Sequence, residues 1–483
     1  MIPTESFLLQ NTEGTLQARI QQMVAQGILS GRFRRGERLP SSRKLATHLG
    51  VSRITVTLAY TELVADDYLT ARGRSGYFVS DNAPEPPDFQ PVEKERPTVD
   101  WSARLGPAPP TLGLAKPHDW QGYRYNFIYG QPDPDLFDTA NWRLCALRAL
   151  GRKDFTSLTS DQFDQDDPLL IDFITRQTLP RRGILARPEE VLLTLGAQNA
   201  LWMTAQLLLS PERRAVLEMP CYPSLRAIVA DTRAQVSSVP VDGEGIDPGR
   251  IPKGGDVVFV TPGHQCPTTA TLPLSRRQAL LDRAEAEDFV VVEDDYDFEM
   301  SFAGPAAPAL KSLDSRGRVI HVGSFSKSIF PGLRLGYLVG PPEFIAAARA
   351  LRATVLRHPP GHIQRTTAYF LSLGHYDALI RRVARVLHER RRELDRACSA
   401  HGLTVAGPGA YGGSSMWMRA PGTDTEVIAE GLREAGVLIE PGQPFFPGAA
   451  PPTDFYRLAY SSIPTDRIDT GVAMVAAAIA DAA

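Results

Sequence analysis

Nine prolines fall between Asp81 and Trp120, among them Pro84, Pro86, Pro87, Pro109 and Pro110. A proline donates no backbone hydrogen bond and fixes its own φ, so such a stretch builds neither a helix interior nor a central strand. Few apolar residues there are available to form a core. The segment, residues 81–120, therefore reads as a semi-extended spacer that reaches up to about 3 Å per residue. It divides the 483 residues into a head, 1–80, and a body, 121–483. No single hydrophobic core is expected to run through both.

Charge follows the same division. The head has ten Lys and Arg against six Asp and Glu, and the rest of the chain has 42 against 49. The near-neutral total of −3 thus hides a small basic head on a larger acidic body, which suggests two tasks on one chain. Hydrophobic residues at 43% and charged residues at 22% are ordinary for globular proteins and exclude wholesale disorder, collagen and coiled coil. No apolar run approaches the roughly 18 residues of a membrane span. The start, MIPTESFLLQNTEGT, has no basic region before an apolar stretch, so no signal peptide is expected. Cys145, Cys221, Cys266 and Cys398 form no CxxC pair. That speaks against a disulfide scaffold or a cysteine zinc site and fits the cytoplasm.

In the head, Leu16, Ile20, Met23, Val24 and Ile28 are spaced for a helix over 16–29. A second helix is predicted from Pro40-Ser41-Ser42 to Leu49, with a serine as N-cap, and a third over 53–65, capped by Ser52. Gly50 makes the turn between them, the helix-turn-helix plan. The third helix opens with Arg53, Thr55 and Thr57, side chains of the kind that read base edges or hold phosphates. Two short strands flank Gly73-Arg74 and make a hairpin that carries Arg72 and Arg74 at its tip. A small helical domain with merely solvated charges has the same spacing. The head also resembles the GntR family of bacterial regulators, over GERLPSSRKLATHLGVSRITVTLAYTELVADDYL and the GRSGYFV wing. The resemblance implies double-stranded DNA as partner, contacted by Arg43, Ser52, Arg53, Thr55, Thr57, Arg72, Arg74 and Gly76.

In the body, continuous apolar runs at 191–195, 215–219, 257–261, 289–293, 319–322 and 336–339 alternate with stretches long enough for crossover helices. This is the pattern of parallel strands covered on both faces, and it predicts a large α/β domain. A smaller α+β lobe is expected from about Gly374, opening with an Arg-rich helix over 376–401.

Four pieces of the body carry chemistry. Gly196 ends a strand and opens a helix at Ala197-Gln198, where free amides and the helix dipole suit a phosphate; a plain strand–helix turn is the alternative. Glu293-Asp294-Asp295-Tyr296-Asp297 puts carboxylates at a strand's C-terminal end, the ligand-binding edge of open α/β sheets. One of them suits a cationic ring nitrogen, and a solvated loop or a magnesium site is the alternative. Ser324, Ser326, Lys327 and Arg334 group an amine with two hydroxyls and a guanidinium, as a Schiff-base lysine beside a bound phosphate requires. Arg457 lies in an apolar strand-like run and needs an anion there, either a ligand's acid or a structural carboxylate.

SFSKSIFPGLRLG and EDDYD resemble, in order and spacing, the fold type I aminotransferase family of pyridoxal 5′-phosphate enzymes. The resemblance covers about 121–483. It implies that Lys327 carries the cofactor, Asp294 pairs with its pyridine nitrogen and Tyr296 bonds its phenolic oxygen. It further implies that Tyr222 stacks on the ring, that Ser324, Ser326, Arg334 and the Ala197 and Gln198 amides hold the phosphate, and that Arg457 takes the effector's acid group. Gln265, in His264-Gln265-Cys266-Pro267, falls where relatives have an asparagine beside the ring oxygen. No metal is implied. Ser224 stands where the GABA-sensing relative has an arginine.

A GntR head joined to such a body is similar throughout to the MocR/GabR subfamily of transcription regulators. That resemblance implies a homodimer, head-to-tail and domain-swapped, each head over the other subunit's body. A small primary amine would displace Lys327 as an external aldimine and thereby change transcription. The head and the ESFLL start look most like taurine-utilisation regulators, which makes taurine the expected effector. An active aminotransferase carrying a DNA-binding head, and a body that only dimerises, are the competing readings.

Overall fold

A computed structural model describes residues 1–9, 14–84, 99–106, 116–128, 130, 133–302, 307–409 and 412–482, with the side chain of Arg74 outside the description. The chain divides into two units, Met1–Gly106 and Pro107–Ala483.

The first unit holds helices α1 (Leu16–Leu29), α2 (Ser42–Leu49) and α3 (Arg53–Ala65), then a hairpin of β1 (Leu69–Ala71) and β2 (Tyr77–Val79). Each helix starts where the sequence supplies a cap. The side chains of Thr15, Ser41 and Ser52 accept from the amides of Ala18, Lys44 and Thr55, satisfying donors the helix itself leaves unpaired. Gly50 stops α2 in the left-handed region at φ +65, where a Cβ is disfavoured. The apolar stripe of each helix faces one core of Ile20, Val24, Ile28, Leu45, Val56 and Leu63, worth about 1.5–3 kcal/mol for each such side chain buried. Tyr60 adds a hydrogen bond to the Pro40 carbonyl at 3.1 Å, which fixes α3 against the start of α2.

The second unit is built on an eight-stranded sheet. Its strands are β3 (Val191–Thr194), β4 (Arg214–Met219), β5 (Gln235–Asp242), β6 (Gly245–Ile246), β7 (Val257–Val260), β8 (Val290–Asp295), β9 (Val319–Ser324) and β10 (Gly336–Val339). They lie in the order β3-β10-β9-β8-β7-β4-β5-β6. The block from β9 to β5 is parallel as expected. The expectation of parallel strands fails at β10, which runs antiparallel to both β9 and β3. The physical reason is its connection. A parallel crossover needs a dozen or more residues, usually a helix, whereas the loop after Ser324 holds only a short turn at Pro331–Leu333, so the chain folds straight back. The polar edge pair β5–β6, partly exposed and antiparallel, has no continuous apolar run to announce it.

The predicted second lobe is present. Helix His375–Ala400 leads into a four-stranded antiparallel sheet of β11 (Thr404–Val405), β12 (Ser415–Arg419), β13 (Glu440–Pro441) and β14 (Phe455–Ala459), ordered β11-β12-β14-β13. Thr425–Glu434 and Thr465–Ala482 pack with it through Ile428, Leu432, Ile468 and Val472. In the large lobe the fully buried Arg352 pairs with Asp166 and donates to the β3 carbonyl of Leu193 at 2.8 Å. Removing one partner of such a pair leaves an uncompensated buried charge, which costs about 3–5 kcal/mol. Among the described residues, no helix is long and apolar enough to cross a membrane.

Candidate functional site

The C-terminal edge of the parallel strands gathers the predicted residues of the body. Strand alternation sorts the acidic run of β8. Glu293 accepts from the Leu310 amide at 2.6 Å and lies 2.9 Å from His321 Nδ1. Asp295 takes a two-pronged bond from Arg182, at 2.7 and 3.1 Å. Asp297 lies 3.0 Å from His264 Nδ1. Three of the four carboxylates are thus committed to different protein partners rather than to a common ion. Asp294 is the exception. It points to the other side, and its buried Oδ1 has no hydrogen-bond partner. Burial, and next the charges of Asp295 and Asp297, raise its pKa to about 8. A carboxylate in such a place is stabilised by an incoming cation.

The opposite end of the cavity is built for an anion. Gly196 sits at φ +80, ψ 174, and a Cβ there would lie 3.5 Å from both Arg334 Nη2 and Ser326 Oγ. These two groups therefore converge on the turn before helix α4 (Ala197–Leu208). The helical ladder begins with Ala200 N–H donating to the Gly196 carbonyl at 3.2 Å, so it makes no claim on the amides of Ala197 and Gln198. Ser326 Oγ is buried with no hydrogen-bond partner. Ser324 Oγ accepts from the Ser326 amide at 3.2 Å and shapes the loop. Arg334 is held by donating to the Leu195 carbonyl at 3.1 Å. The antiparallel β10 makes this possible, because Gly336 pairs with Thr194 and lays the end of the lysine loop beside Gly196.

Lys327 lies between the two ends. Its Nζ would be 2.5 Å from a Cβ on Gly130, and Lys116 Nζ 3.8 Å from the same position; Gly130 also sits at φ +77, where a side chain is disfavoured. Burial, and then the charges of Lys116 and Arg457, lower the Lys327 pKa to about 8. Ala197, Gln198, Tyr222, Asp294, Tyr296, Ser324, Ser326, Lys327 and Arg334 line one cavity, together with Leu201 and Cys266. A buried carboxylate, an amine and an anion cup in one cavity complement a phosphorylated, basic aromatic aldehyde.

Two expected residues stand apart. Gln265 does not line this cavity; its amide donates to the Pro220 and Cys266 carbonyls at 2.7 and 3.0 Å and accepts from the Thr268 hydroxyl at 2.7 Å. Its neighbour Cys266 occupies the wall instead, with its thiol pushed up to about 12 by burial. Tyr296 lines the cavity while its hydroxyl donates to the His264 carbonyl at 3.1 Å. Arg457 sits on β14 directly across from Glu440 and donates through Nε to its Oε2 at 2.9 Å. The sequence reading passed over Cys266 and Lys116. Cys266 adjoins Gln265 and lines the cavity, while Lys116 lies in the proline-rich stretch and reaches Gly130, and residue type alone discloses neither.

On the head, Arg43, Ser52, Arg53 and Arg72 are exposed, and Thr55, Thr57 and Gly76 half-buried. Ser52 and Thr55 share a hydroxyl–hydroxyl contact of 2.8 Å at the cap. Arg72 stacks over Phe78 at 4.8 Å and pairs with Asp81 at 3.5 Å. Ile54 is 72% exposed, and Leu58 one turn on is exposed with it, while Val56 between them is buried. An apolar side chain there suits a thymine methyl in a major groove.

The head is of the kind that binds duplex DNA, and the body is of the aminotransferase kind. The model of the bacterial regulatory proteins of the gntR family matches residues 16–79, and that of aminotransferase class I and II matches residues 167–475. The chain is 58% identical over 481 residues to the HTH-type transcriptional regulator TauR of Rhodobacter capsulatus, covering 99% of each. It is 34% identical to the pyridoxine biosynthesis transcriptional regulator PdxR of Corynebacterium glutamicum, covering 78% of this chain and 77% of that one. The structure of the α-aminoadipate aminotransferase LysN of Thermus thermophilus, complexed with N-(5′-phosphopyridoxyl)-L-leucine, superposes with a TM-score of 0.69 at 25% identity, covering 79% of this chain and 99% of LysN. The protein belongs to the MocR-type branch of the GntR transcription regulators, in which a helix-turn-helix head is joined to an aminotransferase-like domain.

Proposed function

We propose that this regulator holds pyridoxal 5′-phosphate in the cavity of Lys327 and answers a small primary amine bearing an acid group, with taurine as the natural ligand. The observation that carries the reading is a pair of buried polar atoms, Asp294 Oδ1 and Ser326 Oγ, that lack protein partners at opposite ends of one cavity. Buried polar groups are as a rule satisfied; other buried side-chain atoms of the chain also lack partners, but among the residues lining this cavity Asp294 and Ser326 are the ones that do, and they match a ring nitrogen and a phosphate. Bound there, the cofactor supplies an aldehyde carbon open to attack by primary amines. Lys327 anchors it and yields to the amine; Asp294 holds the proton at the ring nitrogen; Ser326, Arg334 and the amides of Ala197 and Gln198 fix the phosphate; Tyr222 covers one ring face. The 58% identity to a protein named TauR supports taurine. A head-to-tail homodimer, in which ligand capture alters how the two heads meet DNA, completes the proposal. Such coupling is typically worth about 1–3 kcal/mol.

The test is a visible spectrum of the purified protein titrated with taurine, GABA and a panel of amino acids. A band that shifts with taurine and then holds supports a sensor; no shift with any amine overturns it. The retained lysine, aspartate and arginine set also favours a second reading, an active aminotransferase. That reading requires the band to be lost with the amine and restored by a 2-oxo acid.

Two variants separate the parts. Arg53→Ala is expected to weaken DNA binding by about 1–3 kcal/mol, the worth of one base or phosphate contact, with an unaltered cofactor spectrum; an unchanged footprint removes the recognition-helix assignment. Arg457→Ala removes the buried Glu440's ion-pair partner, so thermal unfolding should report a loss of up to about 3–5 kcal/mol, reduced by whatever the neighbouring Lys116 offsets. An undiminished melting temperature would show that the pair is not structural.

A further inference from the structure

A second cavity of the body shares the feature that marks the first. It holds about 490 Å³ and is lined from three places: the segment after the proline-rich stretch, the loop that follows Lys327, and the turn before helix Thr465–Ala482. Small-molecule pockets run from about 300 to 1,000 Å³. Two of its lining side chains end in buried atoms without a hydrogen-bond partner, Asn126 Oδ1 and Ser462 Oγ. Asn126 is 8% exposed, and its main chain is pinned where Tyr125–Asn126 pairs with Val437–Leu438. A larger groove beside Asp164 and Arg349, of about 850 Å³, has no such atom among the described residues that line it. Size alone therefore does not bring the feature with it. An orphaned buried acceptor costs stability, and a donor supplied by a ligand removes that cost.

The walls define the ligand. Trp120, Tyr123, Phe137 and Phe330 line the cavity, and Phe137 meets Phe330 edge-on at 5.1 Å. Such surfaces favour a flat ring. Charge is already balanced. Asp133 is paired with the buried Arg390, and the other ionic side chains of the lining, Asp135 and Arg467, are exposed and opposite in sign. We propose that this cavity is a second ligand site, taking a small uncharged aromatic ring whose N–H donates to Asn126 Oδ1, with Ser462 as a further polar contact. The site goes beyond the amine-sensing reading and adjoins its lysine. Phe137 and Ile329 line both this cavity and a small inner one that Lys327 also lines. An occupant thus lies against the loop that carries the lysine.

The experiment titrates the full-length protein, incubated with pyridoxal phosphate to fill the cavity of Lys327, with 4-fluorobenzamide followed by fluorine NMR. Two further probes serve as controls: 4-fluoro-N,N-dimethylbenzamide lacks the donor, and 4-fluorobenzoate replaces it with a charge. The amide is expected to bind about tenfold more tightly than either, the worth of one hydrogen bond to a buried acceptor. Asn126→Leu, close in volume and without the acceptor, should abolish that preference, and Ser462→Ala should weaken the amide about threefold. Without any probe, Ser462→Ala should melt no lower than wild type, because its hydroxyl has no protein partner to lose. Equal binding of the three probes to wild type, binding of none, or a preference that survives Asn126→Leu overturns the assignment. So does a Ser462→Ala protein that binds the amide as wild type does, and this arm decides alone if Asn126→Leu does not fold. A protein that takes up no cofactor would sink the sensing reading, while the titration, which reads only the probe, still decides the fate of the second site.

Discussion

The Lys327→Ala protein is expected to lack the visible band of the lysine-bound cofactor and to give no promoter response to any amine, with DNA affinity within about twofold of wild type, because coupling is lost rather than the head. Among the described residues lining the cavity, Lys327 supplies the amine that can bond the cofactor and then be displaced by a ligand. Its environment prepares it for that exchange. With a pKa lowered to about 8 by burial and by Lys116 and Arg457, roughly one molecule in ten is neutral and nucleophilic at pH 7, against fewer than one in a thousand for an ordinary lysine. The rate at which the cofactor-free protein takes up cofactor should rise as pH passes through about 8. The linkage also protects the experiment. A base whose folded pKa is depressed adds stability above its unfolded pKa near 10.5 and loses it as pH falls through 8. At pH 7 the charged Lys327 is therefore a burden on the empty fold, and the alanine variant should melt no lower than empty wild type. A promoter response that survives in Lys327→Ala would remove covalent sensing altogether.

Asp294→Asn should produce the second large effect, with opposite signs in the empty and the loaded protein. In the empty fold, burial and the neighbouring Asp295 and Asp297 raise the carboxyl from 3.8 to about 8. An acid raised in this way favours the folded state fully below pH 4, and that advantage drains away as pH climbs towards 8, at up to about 1.4 kcal/mol per pH unit. Asparagine does not titrate. The melting temperature of empty Asp294→Asn should therefore gain on empty wild type between pH 5 and pH 8, by a few degrees at the upper end. With pyridoxal phosphate the order should invert, since wild type then gains a buried ion pair at the ring nitrogen and the variant does not. Cofactor affinity should drop by about a hundredfold, the cost of one charged partner in a dry site. If the variant retains cofactor as wild type does, Asp294 does not face the ring nitrogen.

Much of this was legible in the sequence, for physical reasons that differ between the two units. The first and third helices of the head were readable to the residue and the second to within about one, because caps such as Ser41, Ser52 and Gly50 act locally, within one turn of the ends they set. The strands of the large sheet were readable because both faces are covered, which demands unbroken apolar runs. Direction was not. That β10 turns back depends on what its connecting loop can span. The edge strands β5 and β6 escaped because a half-exposed strand has no such run. In the site, residues singled out by their type, such as Lys327, Asp294 and Arg334, were named beforehand and do line one cavity. Residues defined by where a neighbour points were not disclosed: Gln265 turns its amide into the protein while Cys266 takes the wall, and Lys116 arrives from a stretch whose composition says only that it is extended. The partner of Arg457 was the open question of that strand, and Glu440 answers it through a cross-strand register that sequence spacing does not disclose.

The antiparallel return of β10 also sets a timetable for biosynthesis. The bond between Arg334 and the Leu195 carbonyl joins residues 139 positions apart, and Gly336 must be seated against Thr194 before the cup exists. The core of the head, by contrast, is drawn from the first 83 residues, and chains emerging from the ribosome fold their leading domains first. Non-local pairings of this kind form slowly and late. The nascent protein thus acquires its head well before the cup forms, and a chain cut short between residue 84 and residue 336 would keep the head and forfeit the cup.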